Sequence, residues 1–563
     1  DADGDYTWWP AYRKHQREAV VDILHGLYVD DSDVVTLSAP TGAGKSLILY
    51  AAMQTLDTVF ARDSFFTTPL NALIDQVQND DFVADEIVTL KGKNNYSCVH
   101  PHDAGASVDN AICQRTDDFE CEYKDIPHTD GGCPYYGRKK VAQNHSEFVT
   151  NLSYMMANSM IPDTIDSKFN PRELLVVDEC QSIEDFALQF VTVVVSDNAV
   201  PAAVMDEVEK PPNSENIDTL VEWLQNAVAP HVRSEINRLE IKPELTEPES
   251  DDLDALTEFQ RKVENLVYDV ENNHWTVSTE DIDSNDWRVE FKPIHIGRFL
   301  DNFLWSQSEK VVLSSATIPK SGFLEEIGLS NADVTHVEVE STFPPERRGV
   351  YTDETVGKMT MNERQRTLPK MADKIHEIAT HHREGQPHRG FIHAHSYAIA
   401  AEIYDRLPQE TKLRTRVQDA DNREDSLDAW LDAPIDEKGF GEDEGGQVFI
   451  SVAMDEGISL DDWRARWQVI AKIAYPYAGP EAKRANYRLN ELDDWSWYNS
   501  KAITNLQQAV GRGMRSKDDF CHTYILDSSI ENLLQYNEWQ FEGWWLDAVD
   551  VAPSDDVPQR YRS

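Results

Sequence analysis

Basic residues are scarce in this 563-residue chain: 52 Lys and Arg stand against 101 Asp and Glu, a formal net charge of −49. Cysteine is scarce too, with six in all, and four of them (Cys98, Cys113, Cys121 and Cys133) fall in one short stretch. No charged-then-apolar leader opens the sequence, so a secreted disulfide framework is the weaker reading of that group and a metal site the stronger one. Long apolar runs are missing as well. The run FVTVVV from Phe190 is among the longest, far short of the roughly 20 residues a membrane span needs. These absences lead us to expect a cytoplasmic protein with no membrane partner. Its first residue is Asp rather than Met, so we also expect the true start to be missing. There is no internal repeat and no low-complexity segment, and GFGEDEGG at 439–446 reads as a flexible acidic loop.

What is present is enough for several ordinary cores. At 40% hydrophobic residues with aromatics throughout, the chain is not a disordered acidic tail, and its length points to three or four domains. The acid is dispersed through every segment, whereas a nucleic-acid mimic would gather it on one face. Dispersed carboxylates keep a protein hydrated when salt screening is nearly complete, so the charge reads as adaptation to molar salt.

Seven β-rich runs recur: DVVTLSAP, ELLVVDE, KVVLSSAT, RGFIHAHS, QVFISVA, WQVIAKIAYP and HTYILD. Each leads into a polar or glycine-bearing turn and then a helical pattern, which predicts parallel sheets covered by helices, an α/β fold. Ligands of such sheets sit at the carboxyl ends of the strands, where six of the seven runs carry reactive side chains. Two stretches break the pattern. Residues 93–145 hold the cysteine group with little periodicity, and residues 187–285 are acidic and helical. In the latter, Leu253, Leu256, Phe259, Val263, Leu266, Val267 and Val270, and also Ile217, Leu220, Val221, Leu224 and Val228, follow the i, i+3, i+4 spacing of packed helices. HWTVSTED and DWRVEFKPIH then read as a strand pair.

APTGAGKS at 39–46 follows a predicted strand and opens a helix, the setting a phosphate loop requires. Thr41, Gly42, Ala43 and Gly44 turn backbone N–H groups towards phosphates, Lys45 supplies a point charge, and the Ser46 hydroxyl is a magnesium ligand. In LLVVDECQ, Asp178 ends a hydrophobic strand as the second magnesium partner, and Glu179 is the base for the attacking water. Arg13 and Gln16, in YRKHQREAV, are candidates for reading an adenine, against the reading of a plain amphipathic helix.

In order, APTGAGKS, TTPLNALIDQ, LKGKNNYSC, CPYYGRKK, VVDECQ, LSSAT, DEGISL and QQAVGRGMRS resemble superfamily-two helicases of the XPD/DinG branch, over nearly the whole chain. The resemblance implies two tandem RecA-like motors, with an iron–sulfur domain and a helical arch inserted in the first. On that basis the first motor takes residues 1–92, 146–186 and 286–335, the iron–sulfur domain 93–145, the arch 187–285, the second motor 336–535, and a C-terminal tail 536–563. It implies ATP, Mg2+ and a 4Fe–4S cluster as cofactors, and 5′→3′ movement on single-stranded DNA, with single/double-strand junctions as partners of a monomeric motor.

By position, Cys98, Cys113, Cys121 and Cys133 are the implied cluster ligands. Thiolates suit iron–sulfur and zinc alike. Seven residues separate Cys113 from Cys121, where the family has a close pair, and His100, His102 and His128 are alternative ligands. Arg512 and Arg515 resemble arginine fingers, with Gln508 completing that polar set. Glu456 and Gly457 match the motif that couples nucleotide to strand, and Gln181 stands where the family usually has His. Thr68, Ser396 and Ser451 are the implied DNA contacts, against the reading of plain caps. Tyr135 and Tyr136 read equally as base-stacking or packing residues. Cys180 and Cys521 read as packed, inert thiols. Three activities fit these residues: helicase, single-strand translocase without unwinding, and nucleotide-gated scaffold.

Overall fold

The computed structural model describes residues 15–69, 71–78, 87–116, 119–161, 168–281, 287–383, 388–419, 423–432, 446–452, 464–514 and 519–552. The chain begins with β1 (Val34–Ser38), β2 (Ser64–Thr68), β3 (Val88–Thr89), β4 (Glu147–Asn151) and β5 (Arg172–Asp178). It leaves through β6 (Val193–Val195), β7 (Trp275–Glu280) and β8 (Arg288–Pro293), and returns with β9 (Ser308–Ser315) and β10 (Val334–Glu338). Seven of these strands form one sheet in the order β10-β1-β9-β5-β2-β4-β3, every pair parallel. Such a sheet is buried on both faces, which is why its strands read as near-continuous apolar runs. Val35 and Leu37 of β1 pack under the helices Gln16–Tyr28 and Lys45–Phe60, while Val34 joins the core on the opposite face with Phe65, Phe148 and Leu175.

A second parallel sheet holds β11 (Val350–Tyr351), β12 (Gly390–His393), β13 (Thr415–Val417), β14 (Val448–Ser451), β15 (Trp467–Ile470) and β16 (His522–Ile525), in the order β11-β16-β15-β12-β14-β13. All seven runs singled out in the sequence are strands of these two sheets. The architecture is α/β with two tandem motor-type domains.

Boundaries differ from the expected ones for identifiable reasons. β10 pairs with β1 and carries the first sheet to Glu338. β8 pairs with β7 and β6 in a small antiparallel sheet, so the insertion that begins near 187 runs past 285 to Pro293. The residues 536–552 are no tail: Phe541, Trp544 and Trp545 are buried in the second domain, and the Asp550 N–H donates to the Val350 carbonyl at 2.8 Å. Each buried aromatic contributes about 2–3 kcal/mol of apolar transfer, which fastens the end of the chain to the second sheet. In the insertion, Leu256, Phe259, Val263 and Leu266 of the helix Glu247–Asp269 are buried with Leu220, Leu224 and Val228, as the stripe predicts. A capping box between Thr246 and Glu249 starts that helix. Among the described residues, no helix is long and apolar enough to cross a membrane.

The second sheet buries histidines. His393 and His522 are about 1% exposed or less; burial first, then neighbouring positive charge, pushes both down to about 3, and His388 and His395 to about 4. A histidine kept neutral by the fold contributes stability that is complete above its unfolded value of about 6.5 and lost as pH falls towards the folded value, because the unfolded chain takes up the proton first. The melting temperature of this domain should therefore fall steeply between about pH 6.5 and 4, each histidine accounting for up to a few kcal/mol. His522→Gln should start lower, having lost the 2.9 Å hydrogen bond to Tyr351, yet show a shallower pH slope by calorimetry. An unchanged slope would refute the assignment.

Candidate nucleotide site and the surfaces around it

β1 ends at Ser38, and the helix Lys45–Phe60 begins seven residues later. In the turn between them, Gly42 (φ 80°) and Gly44 (φ 83°) occupy left-handed backbone that a side chain disfavours. A Cβ would also displace a neighbouring side chain at either glycine. A Cβ on Gly44 would lie 2.2 Å from the Gln16 amide nitrogen, and one on Gly42 would lie 2.2 Å from the Phe343 ring. Gln16 is buried, and its Nε2 donates to the Ala43 carbonyl at 2.7 Å. The amide expected at an adenine thus braces the loop itself. Thr41 is half-buried, and Ser46 stands exposed at the helix start, open to a ligand.

Lys45 Nζ reaches across to the end of β5, 2.6 Å from Glu179 Oε1 and 3.8 Å from Asp178 Oδ1. Burial pushes Asp178 up to about 6 against the pull of Lys45, with the Glu179 charge adding to the rise. Glu179 is held below the usual carboxylate range: burial opposes this, but Lys45, a hydrogen bond from Gln181 and the charge of Arg512 outweigh it. The proton affinities of the two neighbouring acids are driven apart. Glu179 also sits at φ 51°, a strained position for a side chain with a Cβ. Gln181 Nε2 donates to Glu179 Oε2 at 3.0 Å, so this amide holds the Glu179 carboxylate directly.

The second domain completes the site. The helix Trp495–Val510 ends in the turn Gly511–Gly513, and a Cβ on Gly511 would come 3.2 Å from the Thr41 hydroxyl. Arg512 therefore lies beside the phosphate loop, near enough to lower Glu179. Gln508 is half-buried on the same helix; its neighbour Gln507 is fully buried and accepts the Glu542 N–H at 2.7 Å. Arg13, Glu456, Gly457 and Arg515 lie outside the described residues, as do 439–445 of the acidic loop.

Cys98 and Cys133 are buried, and Cys113 and Cys121 are half-buried. Burial raises the Cys98 thiol, and Cys113 and Cys133 are close enough to raise it further; Cys121 is likewise raised by burial and then by Cys113. Backbone N–H groups of His100 and of Tyr123 and Lys124 face the Cys98 and Cys121 sulfurs, and Gln114 Nε2 lies 3.4 Å from Cys113 Sγ. N–H donors around clustered thiols are what thiolate ligands need, so the donor set fits an iron–sulfur group. Among the described residues, however, no three His, Cys, Asp or Glu side chains stand in metal-holding geometry. Of the alternative ligands, His102 pairs with Asp103 at 3.0 Å, His100 packs edge-on against Phe119 and Tyr123, and burial lowers His128. Tyr135 and Tyr136 pack together, with the Tyr135 hydroxyl 3.0 Å from that of Tyr154. Cys180 and Cys521 are buried, and burial raises both thiols, which leaves them inert.

Thr68 is buried at the end of β2. The Ser396 hydroxyl caps the helix Tyr397–Arg406, and that of Ser451 donates to Gln418. A further group carries no sequence signature, because its members meet only in the fold. Glu184, on the helix Ile183–Val191, receives Arg484 at 2.9 Å, Lys501 at 2.8 Å and the Trp497 indole N–H at 3.1 Å. Glu326 receives Arg484 at 2.9 Å and Arg488 at 2.7 Å, and Arg484 donates to the carbonyls of Pro293 and Ile294. Burial opposes the charge on Glu184, but Lys501, Arg484 and Arg488 hold it well below the usual carboxylate range. This network joins the two sheets a few residues from Glu179.

Two protein families match the chain: one described as a helicase C-terminal domain over residues 380–547, and one described as the res subunit of type III restriction enzymes over residues 10–185. The ATP-dependent DNA helicase XPD of Sulfolobus acidocaldarius is 21% identical over 264 residues, which are 44% of this chain and 44% of that protein. The match thus spans less than half the length of this curated relative. A solved XPD helicase superposes with a TM-score of 0.62 at 17% identity, covering 96% of this chain and 99% of its own. Xpd4 of S. tokodaii gives 0.57 at 13% identity, covering 95% and 99%.

The contact between Gly44 and Gln16 makes a prediction. Gly44→Ala should weaken ATP binding more strongly than loss of Gln16 does, since φ disfavours the Cβ and its insertion would push the Gln16 amide off Ala43. Gln16→Ala should keep the fold and raise the KM for ATP by about tenfold, the cost of one buried hydrogen bond to the loop. Titration with a fluorescent ATP analogue separates the two, and normal affinity in Gly44→Ala would contradict the loop geometry.

Proposed function

We propose that this chain, an XPD/DinG-type superfamily-two helicase, is an ATP-dependent DNA helicase acting in the cytoplasm. It moves 5′→3′ on single-stranded DNA and couples hydrolysis to strand separation. The observation that carries this reading is the meeting of Lys45, Asp178, Glu179 and Arg512, drawn from both sheets, at the carboxyl ends of the strands. Lys45 leaves its carboxylate partner for the β- and γ-phosphates when ATP enters. Ser46 and Asp178 would hold Mg2+, which neutralises phosphate charge. Glu179, kept ionised and oriented by Gln181, accepts the proton of the attacking water. Arg512, with Arg515, neutralises charge on the transferring phosphoryl oxygens, so hydrolysis depends on the two domains being together. Glu456 and Gly457 would couple that state to the strand, and Thr68, Ser396 and Ser451 would position its phosphates.

Cys98, Cys113, Cys121 and Cys133 would hold a 4Fe–4S cluster, which supplies cross-links to a segment with little regular structure. The dispersed acid belongs with a molar-salt interior, where repulsion between a −49 body and DNA is screened within about 3 Å.

In molar KCl, 5′-tailed duplexes should be unwound with ATP and 3′-tailed ones should not. Glu179→Gln should lose turnover by at least about a hundredfold while still binding ATP and DNA; Lys45→Ala should lose nucleotide affinity too. Near-normal hydrolysis by Glu179→Gln overturns the site, and strand movement without unwinding selects the translocase.

Anaerobically purified protein should be brown, with about four irons and four sulfides per chain. Cys113→Ser should lower the iron content. Stoichiometric zinc without iron would exclude the cluster.

A further inference from the structure

A second cavity, of about 500 Å³, opens on the face of the first sheet away from the phosphate loop's own helix. Thr36 and Ser38 of β1 and His336 and Glu338 of β10 line one side, and the strap 318–325 lines the other. Ile318, Phe323 and Leu324 give it an apolar floor, and Glu325 and Glu338 stand exposed at its rim. The second domain supplies one wall residue, Glu542, which is 1% exposed.

Glu542 is the unusual member. Its Oε2 accepts the Ser38 hydroxyl at 3.0 Å, and Lys320 stands 3.6 Å away with its ammonium donating instead to the Phe541 carbonyl at 2.8 Å. Oε1 is buried with no hydrogen-bond partner among the described residues. A buried carboxylate oxygen in that state costs several kcal/mol unless something pairs with it. Burial in fact raises the Glu542 carboxyl in spite of Lys320 and Ser38, so these partners do not compensate it in full.

We propose that this cavity is a binding site for a small organic cation, an amine or amidine carried on an apolar body. The cationic end pairs with the Glu542 carboxylate, whose side chain turns to present Oε1 to the cavity beside Ser38, and the apolar body lies on Phe323 and Leu324. Three carboxylates against one lysine at the wall and rim select a cation over an anion. The buried end selects a hydrogen-bond donor over a bare ion, because only a shaped donor satisfies one carboxylate oxygen at the bottom of an apolar cleft. The bound cation touches both domains and sits one residue from the start of the phosphate loop, yet it shares no wall with Lys45 or Glu179. Binding is independent of the helicase reading, and a failure of one leaves the other standing.

Benzamidine and its neutral isostere benzamide are the probes, used with the full chain in molar KCl and followed by calorimetry and ligand-observed NMR. Benzamidine should bind saturably, with benzamide at least about tenfold weaker, the effect of one charge-assisted hydrogen bond. Glu542→Gln should remove that preference. Leu324→Trp fills the cleft without touching a carboxylate, and it should abolish binding of both probes while melting cooperatively and retaining ATP turnover. Equal affinity for the two probes overturns the proposal, as does benzamidine binding that survives both substitutions or an absence of saturable binding to the unaltered chain.

Discussion

The candidate nucleotide site draws on both domains, and the buried ions around Glu184 and Glu326 tie those domains together. Three of the chain's comparatively few cations, Arg484, Arg488 and Lys501, converge on these two carboxylates. Exposed ion pairs are worth little and fade in salt, whereas buried ones are hardly screened. As salt rises, this kind of contact keeps its strength when surface pairs have lost theirs. Its specificity follows from the same cost: removing one partner leaves a buried charge uncompensated, at about 3–5 kcal/mol. Any other seating of the second domain would leave Glu184 and Arg484 without these partners.

The electrostatics of the site follow from that seating. Lys45 sits between two acids whose affinities for protons are pushed in opposite directions, and Arg512 arrives from the second domain to pull Glu179 further down. Glu179 is thereby kept ionised by groups from both domains. Gln181 adds a hydrogen bond without a charge, which orients Glu179 but does not respond to pH as a histidine would.

Much of this was legible in the sequence because it is local. Seven apolar runs became seven strands, and the glycines of 39–46 and the Asp-Glu after LLVV fell at strand ends where an α/β sheet places its chemistry. The helical stripe from Leu253 packs as its spacing demands. What the sequence hid is long-range. Nothing in Glu184 or Arg484 marks them as partners 300 residues apart, and the 536–552 segment reads as a tail until Trp545 is seen inside the second domain. Gln16 shows the limit well. Its type and place pointed to a nucleotide base, but only the fold shows it clamping Ala43. β8 pairs with β7, as the strand pair in the sequence suggests, but its pairing with the distant β6 is marked by no period, and that pairing places it with the insertion. The hydroxyls of Ser396 and Ser451 are engaged by a helix end and by Gln418, so strand-end position alone says little about what such a group touches.

Arg484 has a mechanical consequence beyond its charge. Its guanidinium grips the acids of the first sheet and also the carbonyls of Pro293 and Ile294, where the inserted helices rejoin the chain. Three bodies are thereby pinned at one point, as at a ball joint. The insertion is tied at its other end too, where the Leu245 N–H donates to the Arg115 carbonyl at 2.7 Å, so a force on the inserted helices is carried to two anchors, this side chain and the cysteine-bearing segment.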